Sequence, residues 1–487
     1  MSIGGSSVVS RPRLRWQISA RAVCGVAVLA CAPRSSRVPH VDSASITAIS
    51  QSSDPAFSRC AGTPTPLDTV TPAFEPYAIT DPNNTHHVVV SWSQRARFGV
   101  GVIRSAVSFD GAVSWQSLTT LPFTQCANPS GLVYRTAGDP WLAAALDGRI
   151  YASALAAVED SVSGIVVTTS VDGGRSWRAP VVAMASTEER AQYDNSSLAV
   201  DPRDPLTAFV LSTRMESTAD GGRMGLAVVS KTVDGGAHWS VPRVISPKSP
   251  DVVADLPQMV IDPNTHTLFV VYTTGPRGQV WLVRSTDGAE SWTQPTQIMA
   301  FVSLNHGPRF PGTDTPLRIT EDVARLDIDA RTGRLFVTIV DGRFTGGDYP
   351  QVGITTSSDS GRTWTPVVRA SSDSAVATWQ PASAVLPDGT LAMTFFASAG
   401  SPDRAGQVYP TAVWVARVRL ADDGRVANRI ETRVAVFPWQ PGPRKTGMFL
   451  GDYHALVRVG DKFCPVFARS FGTASGIVVM CADFSRR

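Results

Sequence analysis

Five octets of one design recur in the chain: "SFDGAVSW" (108–115), "SVDGGRSW" (170–177), "TVDGGAHW" (232–239), "STDGAESW" (285–292) and "SSDSGRTW" (357–364). Five of the twelve tryptophans fall within them, a concentration that chance does not produce. Each octet follows an alternating apolar run such as "GVGVIRSAVS" or "QVWLVRS" and precedes another strand-like run. It therefore reads as a hairpin connection. In such a turn an Asp carboxylate accepts hydrogen bonds from backbone N–H groups of its own loop. A Gly supplies the left-handed backbone that a tight turn needs, and the Trp packs over the sheet. A carboxylate used in this way is not available to a substrate. Asp110, Asp172, Asp234, Asp287 and Asp359 are accordingly assigned structural roles, and function has to be sought elsewhere.

The composition agrees with many short strands joined by turns. Charged residues make up only 17%, Gly and Pro number 39 and 35, and no stretch keeps a helical period; the chain reads as all-β. The N-terminus is an exception. Arg11, Arg13, Arg15 and Arg21 precede a short apolar run from Ala22 to Ala30, and no acidic residue appears before Asp42. Residues 1–31 have the pattern of an export leader, its apolar run too short to span a bilayer. "VLAC" places Cys31 like the acylated cysteine of a bacterial lipoprotein, so both a lipid-anchored envelope protein and a freely secreted one are expected. Residues 32–70, rich in Ser, Pro and Thr, read as a tether to a single domain over 71–487.

The formal charge of +3 becomes 3 − 4 = −1 without the four leader arginines. A near-neutral remainder gives no electrostatic reason to expect nucleic acid. Beyond the leader four cysteines remain, Cys60, Cys126, Cys464 and Cys481, which in an oxidising compartment can pair in three ways. Cys464 and Cys481 lie in consecutive strand-like runs and are the favoured pair, leaving Cys60 with Cys126. No CxxC or HExxH motif occurs and the seven histidines form no ligand-spaced group. No metal or other cofactor is expected.

The octets match the Asp-box, or bacterial neuraminidase repeat, Ser/Thr-x-Asp-x-Gly-x-Ser/Thr-Trp, and the chain resembles the sialidase-like β-propeller superfamily. Copies 170–177 and 357–364 match fully; the others depart at one position, Ala112, Ala289 or His238. A second repeat is interleaved with the first: a polar opening, a strand, a turn rich in Asp, Pro, Asn or Gly, and a second strand, as in "EPYAITDPNNTHHVVVSWSQ". Together they give four strands per unit, which is one propeller blade. Starts near Glu75, Asp139, Asp194, Asp255, Asp322, Gln380 and Asp452 give seven blades, with a six-bladed ring as the alternative. The seventh unit runs out of chain after about three strands, and "PLDTVTPAF" (66–74) is expected to complete it.

With the octets on the turn between third and fourth strands, a site is expected on the opposite face. There lie the starts of the first strands and the ends of the second, carrying Arg95, Arg97, Arg214, Arg277, Arg343 and Arg469. The resemblance implies a retaining glycosidase with a Tyr nucleophile activated by a Glu, an Asp acid/base, and an arginine clamp for the carboxylate of an anionic sugar. Carried onto this sequence, Tyr453 is the nucleophile, Glu321 its partner and Asp139 the acid/base. Arg214, Arg343 and Arg469 form the clamp, with Arg277, His454 and Asp452 nearby. The chain departs from the family in lacking an Arg-Ile-Pro segment before the first blade, and in placing its Tyr before the last clamp arginine. Three classes of activity fit: a sialidase-type exo-glycosidase, a non-catalytic propeller binding glycan or protein, and a uronate-polysaccharide lyase. An anionic glycan partner and a monomeric state are expected, with membrane contact only through Cys31.

Overall fold

The computed structural model describes residues 47–48, 55–61 and 72–483, apart from 96–99, 160–161, 187–190, 219–221, 249–252, 275–277, 305–308, 311–318, 320–322, 401–407, 440–448 and 472–473. The leader and its Cys31 lie outside the described residues.

Seven antiparallel sheets follow one another along the chain. Blade 1 comprises Ala73–Asp81, Asn84–Arg95, Gly101–Ser108 and Gln116–Thr120. The first strands of blades 2 to 7 are Thr136–Ala144, Ala191–Val200, Ala254–Ile261, Arg325–Ile328, Ala377–Val385 and Ala455–Val459. Blades 1 to 6 each contain four strands in chain order. The second strands Leu268–Thr274, Leu335–Asp341 and Leu391–Ser398 are buried at every position. A middle strand covered by neighbouring blades on both faces has no solvent side, so its sequence reads as a continuous apolar run rather than an alternating one. The core is divided accordingly. One cluster lies between blades 2 and 3 (Tyr151, Val167, Leu198, Val210) and another between blades 4 and 5 (Phe269, Leu282, Leu326, Val337).

All five octets form the turn between third and fourth strands. In the second, Asp172 Oδ1 accepts from Ser170 Oγ at 2.8 Å and from the Ser176 N–H at 2.9 Å, and Oδ2 accepts from Ser176 Oγ at 2.5 Å. Ser170 Oγ in turn accepts from the Gly174 N–H at 2.8 Å. The departures preserve this arrangement. Ala112 and Ala289 adopt the left-handed backbone themselves, at φ 65° and 74°. His238 Nδ1 donates to Asp234 Oδ2 at 2.7 Å, replacing the hydroxyl found in the other copies. Trp177, Trp239, Trp292 and Trp364 pack against the clusters between their own blade and the preceding one.

Ring closure differs in one respect from the expectation. Ala73 and Phe74 belong to the first strand of blade 1, and the strand that pairs with Ala474–Val479 of blade 7 is Thr47–Ala48. The N-terminal part of the chain does close the ring, but from further upstream than "PLDTVTPAF". The alternating apolar pattern of 66–74 suited an outer strand equally well, and only the register shows that its end is used inside. A short helix, Pro55–Ala61, is fastened to blade 1 and its following loop by the Cys60–Cys126 disulfide. Arg59 donates to the carbonyls of Cys126 and Ala127, at 3.3 and 2.8 Å. Cys464 and Cys481 form the second disulfide.

Candidate active site

Five first strands begin with the same defect. Register slips occur between Phe74 and Tyr77, Gly138 and Trp141, Asp194 and Ser197, Asp255 and Gln258, and Trp379 and Ala382. At each slip one residue other than glycine has positive φ: Glu75 (52°), Asp139 (52°), Asn195 (48°), Leu256 (46°) and Gln380 (49°). Four of the five are followed by proline, whose missing N–H is tolerated where the ladder is interrupted. A bulge re-aims side chains. Here it brings Glu75, Asp139, Asp194 and Asp255 together on the face opposite the octets.

Asp452 joins them from the loop leading into blade 7. Gly451, at φ 108°, lets this loop approach closely: a Cβ there would stand 2.6 Å from the Glu75 backbone nitrogen. Gln380 Nε2 donates to the Gly451 carbonyl and fixes the loop from blade 6.

The carboxyls titrate as a group. Burial, then the charges of Asp139 and Asp452, raise Glu75 well above the usual carboxylate range. Burial and the charge of Asp194 push Asp139 up to about 7, opposed by its hydrogen bond with Glu75. Asp194 rises to about 6 through burial and the charge of Asp255. Asp255 is well supplied with donors: its Oδ1 accepts from Thr213 Oγ1 at 2.9 Å, the Leu256 N–H at 2.8 Å and Asn195 Nδ2 at 3.2 Å. Glu75 is buried and Asp139, Asp255 and Asp452 are half-buried; Asp194 is exposed as a residue while its carboxyl is crowded by protein atoms. The carboxylates therefore run from solvent into the ring.

Tyr453 is buried against this group, and its hydroxyl donates to the carbonyl of Pro140, next to Asp139, at 2.9 Å. Its ring meets Trp141 edge-on at 5.7 Å, and Trp141 stacks on Tyr77 at 3.9 Å. Burial, reinforced by Glu75 and Asp139, holds the phenol well above its ordinary value. Two sequence-predicted catalytic residues some 300 positions apart are thus in one place. Glu321 and Arg277 lie outside the described residues, as does Arg97.

The rim arginines occupy separate blades. Arg214 pairs with Glu216 at 2.5 Å, and Lys248 reaches the same carboxylate at 3.2 Å. Arg343 is bound to Asp341 at 2.6 Å and donates to the Ala300 carbonyl. Arg469 is half-buried in the second strand of blade 7 and Arg95 is exposed at the end of that of blade 1. His454 is not at the rim: it is 1% exposed, edge-on to Phe396, and burial lowers it to about 3, so it is neutral. Its ring nitrogens make no hydrogen bond of ordinary geometry, the contact with the Thr394 backbone falling short of one.

Sequence reasoning missed Arg325 and the aromatic pair. Arg325 opens the first strand of blade 5, 6% exposed, with its guanidinium 5.2 Å from the Trp141 ring centre and 5.6 Å from that of Tyr453. The alternation Arg325–Leu326–Asp327 in a strand expected to line the channel was the available signal; attention to acids at first-strand starts and arginines at second-strand ends passed over it. Among the described residues no group of His, Cys, Asp and Glu is arranged to hold a metal ion.

Residues 68–303 match the family model described as a BNR repeat-like domain, which covers blades 1 to 4. No curated protein matches the chain. Among solved structures, the NanB sialidase of Streptococcus pneumoniae is similar at 10% identity, over 85% of this chain and 94% of that one, with a TM-score of 0.44. A protein of unknown function from Dyadobacter fermentans is similar at 13% identity (85% and 95% covered, TM-score 0.46). The GH93 α-L-arabinofuranosidase of Fusarium graminearum is similar at 14% (85% and 93%, TM-score 0.44). At these identities and scores the likenesses are of chain path alone.

Proposed function

Starting from a sialidase-like BNR-repeat propeller, we propose that the protein is an exported glycoside hydrolase acting at the carboxylate funnel. The observation that carries this reading is the Glu75–Asp139 pair beside the Tyr453 phenol. Two hydrogen-bonded carboxyls, both raised by burial, can share one proton, as an acid and a base acting together require. Asp139, the more exposed member, gives the proton to the leaving glycosidic oxygen. The Tyr453 oxygen bonds to the anomeric carbon as that C–O bond breaks, and its proton passes to Glu75, then ionised. In the second half Asp139 takes a proton from water, whose oxygen displaces the phenol, and Glu75 returns the proton to Tyr453. Glu75 thus fills the place that the resemblance gave to Glu321. A neutral phenol brings no further negative charge into an already acidic site.

The sugar we propose is anionic and terminal. Around Glu216 two cations, Arg214 and Lys248, meet one carboxylate, leaving that part of the rim net positive, and guanidinium groups bind carboxylates through paired hydrogen bonds. Arg343 must exchange its Asp341 partner to take part. The disulfides fit a protein of an oxidising compartment.

The test is turnover of a fluorogenic sialoside beside a neutral glycoside and a uronate polysaccharide. Tyr453→Phe and Asp139→Asn should each lose about 100-fold or more in kcat. Full activity in Tyr453→Phe overturns the nucleophile assignment. An absorbance rise from unsaturated uronate replaces hydrolysis by elimination, and glycan binding without turnover reduces the site to a lectin.

A further inference from the structure

Arg325 has no assigned task in this reaction, yet it is the cation nearest the phenol among the described contacts. It reaches from blade 5 to four other blades. Nε donates to the Pro381 carbonyl of blade 6 at 3.3 Å, and Nη2 to the His454 carbonyl of blade 7 at 3.5 Å. The guanidinium faces Trp141 of blade 2 and Tyr453 at cation–π distances, and its charge is felt by Tyr77 of blade 1. Among the described residues no carboxylate lies within ion-pair distance of it. Asp327, which accepts from Ser383 Oγ at 2.5 Å, shares with it a cavity of about 70 Å³ also lined by Tyr77 and Gln258. Such a space is polar and large enough for ordered water between the two charges.

A buried guanidinium without a contacting carboxylate is costly, and ring packing alone would be served by an apolar side chain. What an apolar side chain cannot supply is positive charge. The groups facing Tyr453 are otherwise anionic or neutral: Glu75 from blade 1, Asp139 from blade 2, Asp452 on its own loop, and the neutral His454 next to it. Three carboxylates oppose any negative charge on the phenol oxygen, and among the described charges that act on it most strongly Arg325 is the one that favours it.

We propose that Arg325 is a positioning residue for Tyr453, closing a three-way contact with its ring and that of Trp141 and stabilising the charge that develops on the phenol oxygen as its proton leaves. The proposal rests on Tyr453 as nucleophile, but its first readout needs no substrate. Difluorotyrosine, more acidic than tyrosine, is placed at position 453 of the full chain and its ionisation followed by fluorine NMR. In Arg325→Met the midpoint should rise by about one pH unit or more; in Arg325→Lys most of that rise should be absent. An unchanged midpoint in a folded Met variant overturns the proposal. Should the Met variant not fold, the otherwise unaltered chain decides: the Arg325 Nε–H resonance must move with the ionisation of residue 453, and a stationary resonance overturns the proposal. If the protein turns over a glycoside, Arg325→Met should lower kcat at least tenfold with KM within about twofold; loss in KM alone counts against it. A shifted midpoint in a protein that hydrolyses no glycoside keeps this role and rejects the proposed reaction.

Discussion

Asp139 and Asp359 show how little a residue's identity says about its chemistry. In the last octet, Thr363, through side chain and backbone, and Ser357 donate to Asp359 and hold it at about 2. Asp139, buried among like charges, rises to about 7. Their effects on stability run in opposite directions. A carboxyl lowered in the folded state contributes stability above its unfolded pKa, and that contribution is lost as pH falls through 4 toward 2. One raised in the folded state binds more protons folded than unfolded, so stability increases as pH falls from above 7 toward 4. The melting temperature should therefore peak at about pH 5. Asp139→Asn should melt higher than the parent at pH 8, where the parent carries a buried charge, and lose that advantage at pH 5. Thermal unfolding at the two pH values checks this; an equal difference at both would mean that Asp139 is not raised. On the activity side, kcat/KM should fall about tenfold per unit above pH 7 as Asp139, the proposed acid, ionises.

At the scale of the element, the octet is a turn whose backbone demands two consecutive left-handed residues after the Asp. Gly174 sits there at φ 85°, and an added Cβ would find only ordinary contact with Val89, at 3.4 Å. Gly174→Ala should thus cost backbone strain alone, about 1 kcal/mol, readable as a shift in urea midpoint. Ala112 and Ala289 already bear that strain in their copies. The bulges show what was not legible at this scale. "EPY", "DPW" and "DLPQ" stood out as polar strand starts, but a chain with alternating polarity gives no sign that its register slips by one. The slip brings the acids into the ring; without it these positions would read as a solvated rim.

For the whole molecule, stability depends on how the ring is closed. Thr47–Ala48 covers the edge of Ala474–Val479, and Cys60–Cys126 ties the chain between this strand and blade 1 to the ring. Removing residues 1–50 should lower the melting temperature and promote association through the uncovered strand edge, to be read by light scattering. Replacing both Cys60 and Cys126 by Ser opens a loop of 66 residues and should cost about 4 kcal/mol in unfolding free energy. A variant as stable as the parent would show that the helix Pro55–Ala61 is held by packing alone.

The sequence by itself determined the local order of the protein: the repeated four-stranded unit, the octets on the turn between third and fourth strands, the favoured pairing of Cys464 with Cys481, and the face on which acids gather. These follow from short-range patterns, because turn chemistry and strand period act over a few residues. Tertiary structure decided which residues share a site. Tyr453 meets Asp139 and Glu75 only because the ring brings blade 7 back to blade 1. Arg325 acquires its importance from rings on other blades, His454 loses its charge to burial, and Arg343 is bound by a carboxylate two residues away. Charge and proton affinity depend on distance in space, which the order of residues does not specify until the ring is closed.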